Sequence, residues 1–267
     1  MIIFSFILLF LALPTLAEYT CGSKQQIKKS YGVIELLVNC YERRESNLVM
    51  VIEYKKGTQI QHGFQMDYDS LWRKRDSSFY VNGKEEGQVL FWDTLGNIVG
   101  RSTYRHGKYV GKSESYWAPG RPSVIKNYNQ AGKEEGPWQE WWKNGNKKAE
   151  FIAKKGQLLS GTEYYPNGNP RLRFNAPYQP KASLFTLKEG ETEAWAPDGR
   201  PAGKVVKGKG EILVFPADTS KKSYVVHRER YHDSLMVVLE ELDSTEVKAW
   251  FGGTYKPHRD ESKFNTP

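Results

Sequence analysis

Three sets of glycine recur along this chain at nearly one interval, and that interval constrains the fold more than any other feature. Gly57, Gly83, Gly107, Gly132 and Gly156 follow one another at spacings of 26, 24, 25 and 24 residues. Gly63, Gly87, Gly111, Gly136 and Gly161 follow at 24, 24, 25 and 25, and Gly96, Gly120, Gly145 and Gly168 form a third set. A fixed period of this length marks a repeat architecture.

Each period alternates turn and strand chemistry. In one copy "AGKEEG" (131–136) reverses the chain, "PWQEWW" (137–142) is a strand, "KNGN" (143–146) reverses it again and "KKAEF" (147–151) returns. Asn82-Gly83, Asn144-Gly145 and Asn167-Gly168 are hairpin pairs, because both residues tolerate positive φ. Two strands of about 5–6 residues and their turns consume about 24 residues. Helices fail this test, since Gly or Pro interrupts each window before three turns could form. The predicted fold is all-β: an elongated array of antiparallel β-hairpin repeats with a period near 24 residues. Gly83, Gly87, Gly96, Gly107, Gly111, Gly120, Gly132, Gly136, Gly145, Gly161 and Gly168 are assigned as its structural turn glycines.

Aromatic residues keep the same count. Trp92, Tyr116, Trp141, Tyr164 and Trp195 each stand four residues before a glycine, and Tyr104, Tyr128, Phe151 and Phe174 form a series on the return limb. Strand alternation sends Leu90 and Trp92 to one face and Val89 and Phe91 to the other, and divides Trp138 and Trp142 from Trp141. Equivalent rings lie two strands apart, roughly 10 Å, so they would meet through the residues between them. One hairpin could not shelter such rings; several stacked hairpins would.

The ends are less regular. Residues 2–17 carry no charge, and "TLA" (15–17) offers small residues where a signal peptidase reads. The expectation is a signal peptide over 1–17, placing the mature chain in the periplasm, the outer envelope or the medium. With no basic residue before the apolar run, an uncleaved inner-membrane anchor and a buried opening segment stay as alternatives. Cap strands are expected over 18–56, regular repeats over 57–176, and degenerate repeats over 177–245 after an insertion containing Pro177 and Pro180. Within the last, 235–242 reads as a strand or a short helix, and 246–267 reads as a polar tail. In an oxidising compartment, Cys21 and Cys40 could close a short loop worth about 2–4 kcal/mol; two separate thiols are the other reading.

The copies "YVNGKEEGQVLFWDTLG", "YRHGKYVGKSESYWAPG", "NQAGKEEGPWQEWWKNG" and "KKGQLLSGTEYYPNGNPRLRF" resemble the bacterial variant of MORN repeats. They are similar in particular to multi-repeat proteins often labelled as toxin–antitoxin antitoxin components. The likeness covers residues 54–174 well and 186–240 poorly. It implies twisted antiparallel hairpins and no shared enzyme chemistry. An export leader fits an intracellular antitoxin poorly, so the architecture transfers and that role does not.

Chemistry-bearing motifs are sparse. A phosphate loop needs N–H groups converging at a helix start, whereas "NGKEEG" (82–87) runs into the strand-like "QVLFW" (88–92) and carries two glutamates. His227 and His232 are five residues apart, on opposite faces of a strand, and with Asp233 they make a weak metal site. Ser113 and Ser115 have no neighbouring histidine for nucleophilic work. No catalytic, metal or cofactor residue is therefore assigned. Trp117, Trp138, Trp142 and Trp195 could form an aromatic recognition surface; the competing reading makes them the packing of thin hairpins. The net charge of +8 comes from 39 basic and 31 acidic side chains with interspersed signs, as on a solvated surface.

The expected function is a non-catalytic exported scaffold that binds a protein or an envelope polysaccharide. No nucleic acid is expected as partner, and membrane contact only through a retained leader. The alternatives are a carbohydrate-binding or carbohydrate-active envelope protein and an antitoxin-like neutralising module.

Overall fold

A computed structural model of the chain describes residues 26–31, 34–43, 46–178, 190–217, 225–232 and 235–252, with side chains described from residue 51 onward except at 176–178 and 235–238. The leader, Cys21 and hence its pairing with Cys40, Pro180 and Asp233 lie outside the described residues. The chain divides into two compact units, Met1–Gly96 and Asn97–Pro267.

The first unit contains β1 (Gln26–Tyr31), β2 (Ile34–Arg43), β3 (Ser46–Lys55), β4 (Gln61–Tyr68), β5 (Lys74–Val81), the short β6 (Lys84–Glu85) and β7 (Gly87–Trp92). Each strand pairs antiparallel with the one the next turn returns, and β5 pairs with both β6 and β7. The second unit contains β8 (Ile98–Arg105), β9 (Lys108–Tyr109), β10 (Gly111–Ala118), β11 (Arg121–Tyr128), β12 (Gly136–Trp141), β13 (Lys147–Lys154) and β14 (Gln157–Tyr164). It continues through β15 (Pro170–Tyr178), β16 (Glu191–Trp195), β17 (Pro201–Val206), β18 (Lys209–Val214), β19 (Val226–His232) and β20 (Leu235–Leu242) to α1 (Ser244–Trp250). β8 pairs antiparallel with both β9 and β10, and from β10 to β20 the strands pair antiparallel in succession. An all-β array of antiparallel hairpins is what the glycine period required.

Two kinds of turn alternate. At one end of the strands, Asn82-Gly83, His106-Gly107, Lys155-Gly156 and Lys207-Gly208 are two-residue turns with positive φ at both positions, between 47° and 82°. That is the turn whose twist matches the flanking strands. At the other end Gly120, Gly145, Gly168 and Gly199 hold φ between 72° and 91°, and each turn is flanked by a register shift. Positive φ also holds at Gly87, Gly96, Gly111, Gly132 and Gly136.

Gly161 departs from the turn assignment. It lies inside β14, opposite Phe151 on β13 and Phe174 on β15. A Cβ there would overlap the Phe151 ring and come 2.5 Å from the Glu150 carbonyl oxygen. Glycine is present because the rings of two flanking strands close over this one. Phe151 and Phe174 stand 5.8 Å apart, and Trp138 meets Phe151 edge-on at 5.4 Å.

The rest of the return-limb series meets through a ring rather than a gap. Tyr109 sits 4.4 Å from Tyr104 and 4.8 Å from Tyr128. A larger cluster involving Leu172, Ala194, Val205, Ile212, Phe215 and Tyr231 is closed by Val247 of α1. α1 overlaps the start of the polar tail expected over 246–267, of which residues 253–267 lie outside the described residues. Asp243 accepts from the Thr245 and Glu246 N–H groups while Glu246 reaches back, a reciprocal cap. Of the two readings for 235–242, the strand is the one found.

Candidate recognition groove

In the second unit the glycine turns that follow β10, β12 and β14 are tied together by one repeated joint. The Trp117 Nε1–H donates to the Trp141 carbonyl at 3.0 Å, the Trp142 Nε1–H to the Tyr164 carbonyl at 3.1 Å, and the Tyr165 hydroxyl to the Trp195 carbonyl at 2.7 Å. Each side chain reaches the residue just before its own counterpart in the next turn. Asparagines add a second tier: Asn144 and Asn146 both donate to the Pro166 carbonyl, and Asn167 and Asn169 to the Pro197 carbonyl. Inside two of these turns an Asn side-chain oxygen accepts the N–H two residues on: Asn144 Oδ1 accepts from the Asn146 N–H and Asn167 Oδ1 from the Asn169 N–H, which fixes the loop before it reaches its neighbour.

This ladder leaves a shallow groove of about 220 Å³ lined by Trp117, Gly120, Arg121, Pro122, Trp141, Trp142 and Gly145. Trp117 keeps 46% of its surface exposed. The Lys143 ammonium stands 5.2 Å from the Trp117 ring centre, and Arg121 donates to the Lys143 carbonyl. The groove therefore offers ring faces and positive charge. No carboxylate is among its described lining residues.

Of the four tryptophans singled out in the sequence, Trp117 and Trp142 come together here. Trp138 does not: it packs on Phe151, donates to Glu140 at 3.0 Å and carries the Lys126 ammonium 3.6 Å from its ring. Trp195 does not either; the Arg173 guanidinium stands 5.2 Å from it. A surface made of all four is thus corrected to a groove at two of them. The register shift between Glu140 and Trp141 breaks the alternation that would keep Trp138 and Trp142 on one face apart from Trp141, and Trp141 and Trp142 line the groove together. The sequence did not single out Trp141 and Arg121. Trp141 belongs to the aromatic series four residues before each glycine, and Arg121 sits in "PGRP", echoed by "DGRP" (198–201).

Acid chemistry lies elsewhere. In the first unit Asp67 and Asp76 face each other across β4 and β5. Burial, and then the neighbouring Asp67 charge and hydrogen bond, push Asp76 up to about 6, and burial also raises Asp67. Like charges directly opposite repel, and one shared proton relieves this. These carboxyls bond to each other within a sheet, whereas glycoside hydrolysis needs a pair held apart across a cleft. Glu229 is buried and raised for that reason, with the Tyr231 hydroxyl donating to it at 2.7 Å. Among the described residues no group of three His, Cys, Asp or Glu side chains is placed to hold a metal, and no helix is long and apolar enough to cross a membrane. The "NGKEEG" segment (82–87) follows β5, contains β6 and runs into β7, strand to strand.

No family model matches the chain, and no curated protein matches it.

Proposed function

We propose that this chain is a non-catalytic, exported repeat scaffold that binds a macromolecule of the cell envelope, with the Trp117–Trp141–Trp142 groove as a principal contact. The observation that carries this reading is the groove itself: exposed ring surface and cations, held by hydrogen bonds between successive turns, with no carboxylate among its described lining residues. Rings placed this way bind flat apolar faces, and a preformed site loses little freedom on binding. The repeat grammar supports kinship with bacterial MORN-variant proteins, and the uncharged leader supports export.

The test is a tryptophan-fluorescence titration with isolated envelope proteins and with soluble envelope polysaccharides. A saturable change in emission that Trp117→Ala abolishes is the expected result. Silence across both panels, with the fold intact by circular dichroism, would defeat the reading. A second reading, carbohydrate binding in particular, is favoured by the three rings lining one groove. Retardation in gels containing neutral polysaccharide would distinguish it from a protein partner.

A further inference from the structure

One turn sequence occurs twice in the second unit, as "WAPGRP" (117–122) and "WAPDGRP" (195–201). In both, the proline pairs with the aromatic residue four places before the glycine, Pro122 with Tyr116 and Pro201 with Trp195. The strand that pairs next to each Arg-Pro turn brings an aromatic residue five places after a glycine. Beside β11 this is Trp141, after Gly136, and beside β17 it is Phe215, after Gly210. The two places are built from the same parts.

The chain itself fills the second of them. Phe251, the residue that caps the end of α1, has its ring centre 4.7 Å from the Arg200 guanidinium and 6.4 Å from the Phe215 ring. It is half-buried and packs on the core cluster there. Asp198, the extra residue of this copy, meets Arg200 at 2.9 Å. The first copy has no such aspartate, and its groove stays open. Arg121 donates to the Lys143 carbonyl and the Lys143 ammonium stands over Trp117; among the described residues neither cation meets a carboxylate.

We propose that the Trp117 groove docks an acidic peptide segment of a partner protein, which inserts a phenylalanine ring against Arg121 and Trp141 and sets a carboxylate on Arg121. The filled copy shows what these parts hold, and the open copy lacks that ring and that acid. A guanidinium favours an aromatic face, and an aromatic side chain seated in a pocket is a common anchor of protein contacts. At about 220 Å³ the groove is smaller than sites that enclose a whole small ligand, about 300–1,000 Å³, so it suits one side chain of a longer partner. The inference rests on the groove reading above and names its partner class.

The experiment is fluorescence anisotropy of the full chain with a labelled decapeptide that carries one phenylalanine between aspartates in a glycine–serine context. Saturable binding is expected, and Trp117→Ala should abolish it. Replacing the peptide's phenylalanine by alanine should weaken binding about tenfold or more, as the loss of one buried ring does. Replacing its aspartates by asparagines should weaken binding about fivefold, and Arg121→Gln, which keeps the stem of an exposed side chain, should largely remove that difference. Lys155→Gln, at the other end of the strands, should bind as wild type. Silence with the phenylalanine peptide, equal binding of its alanine version, or undiminished acid preference in Arg121→Gln would each overturn the inference. So would a dimer in sedimentation equilibrium that Trp117→Ala splits, since a second copy would then occupy the groove. If the peptide fails while a neutral polysaccharide binds through Trp117, this inference falls and the groove reading stands; silence of both defeats both.

Discussion

Gly63 in the first unit and Gly161 in the second hold the same place in the repeat, yet different groups fill the space over them. At Gly161 the filler is the Phe151 ring, which continues to Phe174. At Gly63 it is the Glu53 side chain, whose carboxylate accepts the Phe64 N–H at 2.7 Å and is raised by burial. The two differ in backbone as well, since Gly63 holds φ at +120° while Gly161 is not among the positive-φ glycines, and the filler adds its own energetics. A ring over the gap adds apolar burial at any pH; a carboxylate satisfies an N–H but carries a desolvation cost. The first unit repeats that choice one strand over, where Asp67 and Asp76 stand opposed. The second unit builds around aromatic and aliphatic side chains.

The largest effect should come from exchanging the glycines for alanine. Gly161→Ala forces a methyl group into a ring and a carbonyl oxygen, and should cost about 3 kcal/mol in urea unfolding. Gly63→Ala should cost less, about 1–2 kcal/mol from its φ of +120°, because the obstructing carboxylate can swing aside. Equal costs would break the comparison. Next, Gly145→Val should cost about 2 kcal/mol: the space around it is open, so the loss is backbone strain at φ +90°. Unchanged thermal stability would show that the turn does not need this conformation.

The acid pair in the first unit gives a smaller, pH-dependent effect. Asp76 is raised in the fold to about 6 from an ordinary 3.8. Between those values the unfolded chain is ionised while the folded chain keeps its proton. Stability from this pair is therefore greatest below about pH 4, falls as pH rises toward 6, and stays flat above. Asp76→Asn should remove that slope and stabilise the unit at pH 7–8 by on the order of 1 kcal/mol, allowing for screening at a half-buried site. Parallel melting curves of variant and wild type across pH 4–8 would contradict this. Smallest should be Trp142→Phe, which keeps the ring in the groove but loses the bond to the Tyr164 carbonyl, about 0.5–1.5 kcal/mol. No change in stability would mean the turn ladder is held by the asparagines alone.

The backbone was legible in the sequence because turns need particular residues: Asn82-Gly83 and Asn144-Gly145 announce themselves without any tertiary contact. Gly161 was misread for the same reason. Its spacing is that of a turn glycine, and its cause, two rings closing over a strand, exists only once three strands have paired. The tryptophan surface was half legible. Ring positions follow from the period, but whether Trp138 points into packing or Trp142 into a groove depends on the bulges beside Gly145. The Asp67–Asp76 pair left no local mark, since its partners come from opposite strands. α1 was hidden by the polarity of its surroundings, although Asp243 and Glu246 have the spacing of a reciprocal cap.

Neighbouring hairpins shelter one another's rings through the gap at Gly161. Amide hydrogen exchange, read by mass spectrometry on wild type and Gly161→Ala, tests this directly. Protection should fall together in β13, β14 and β15 of the variant while β17 and β18 keep theirs. Protection lost in β14 alone, or nowhere, would contradict it.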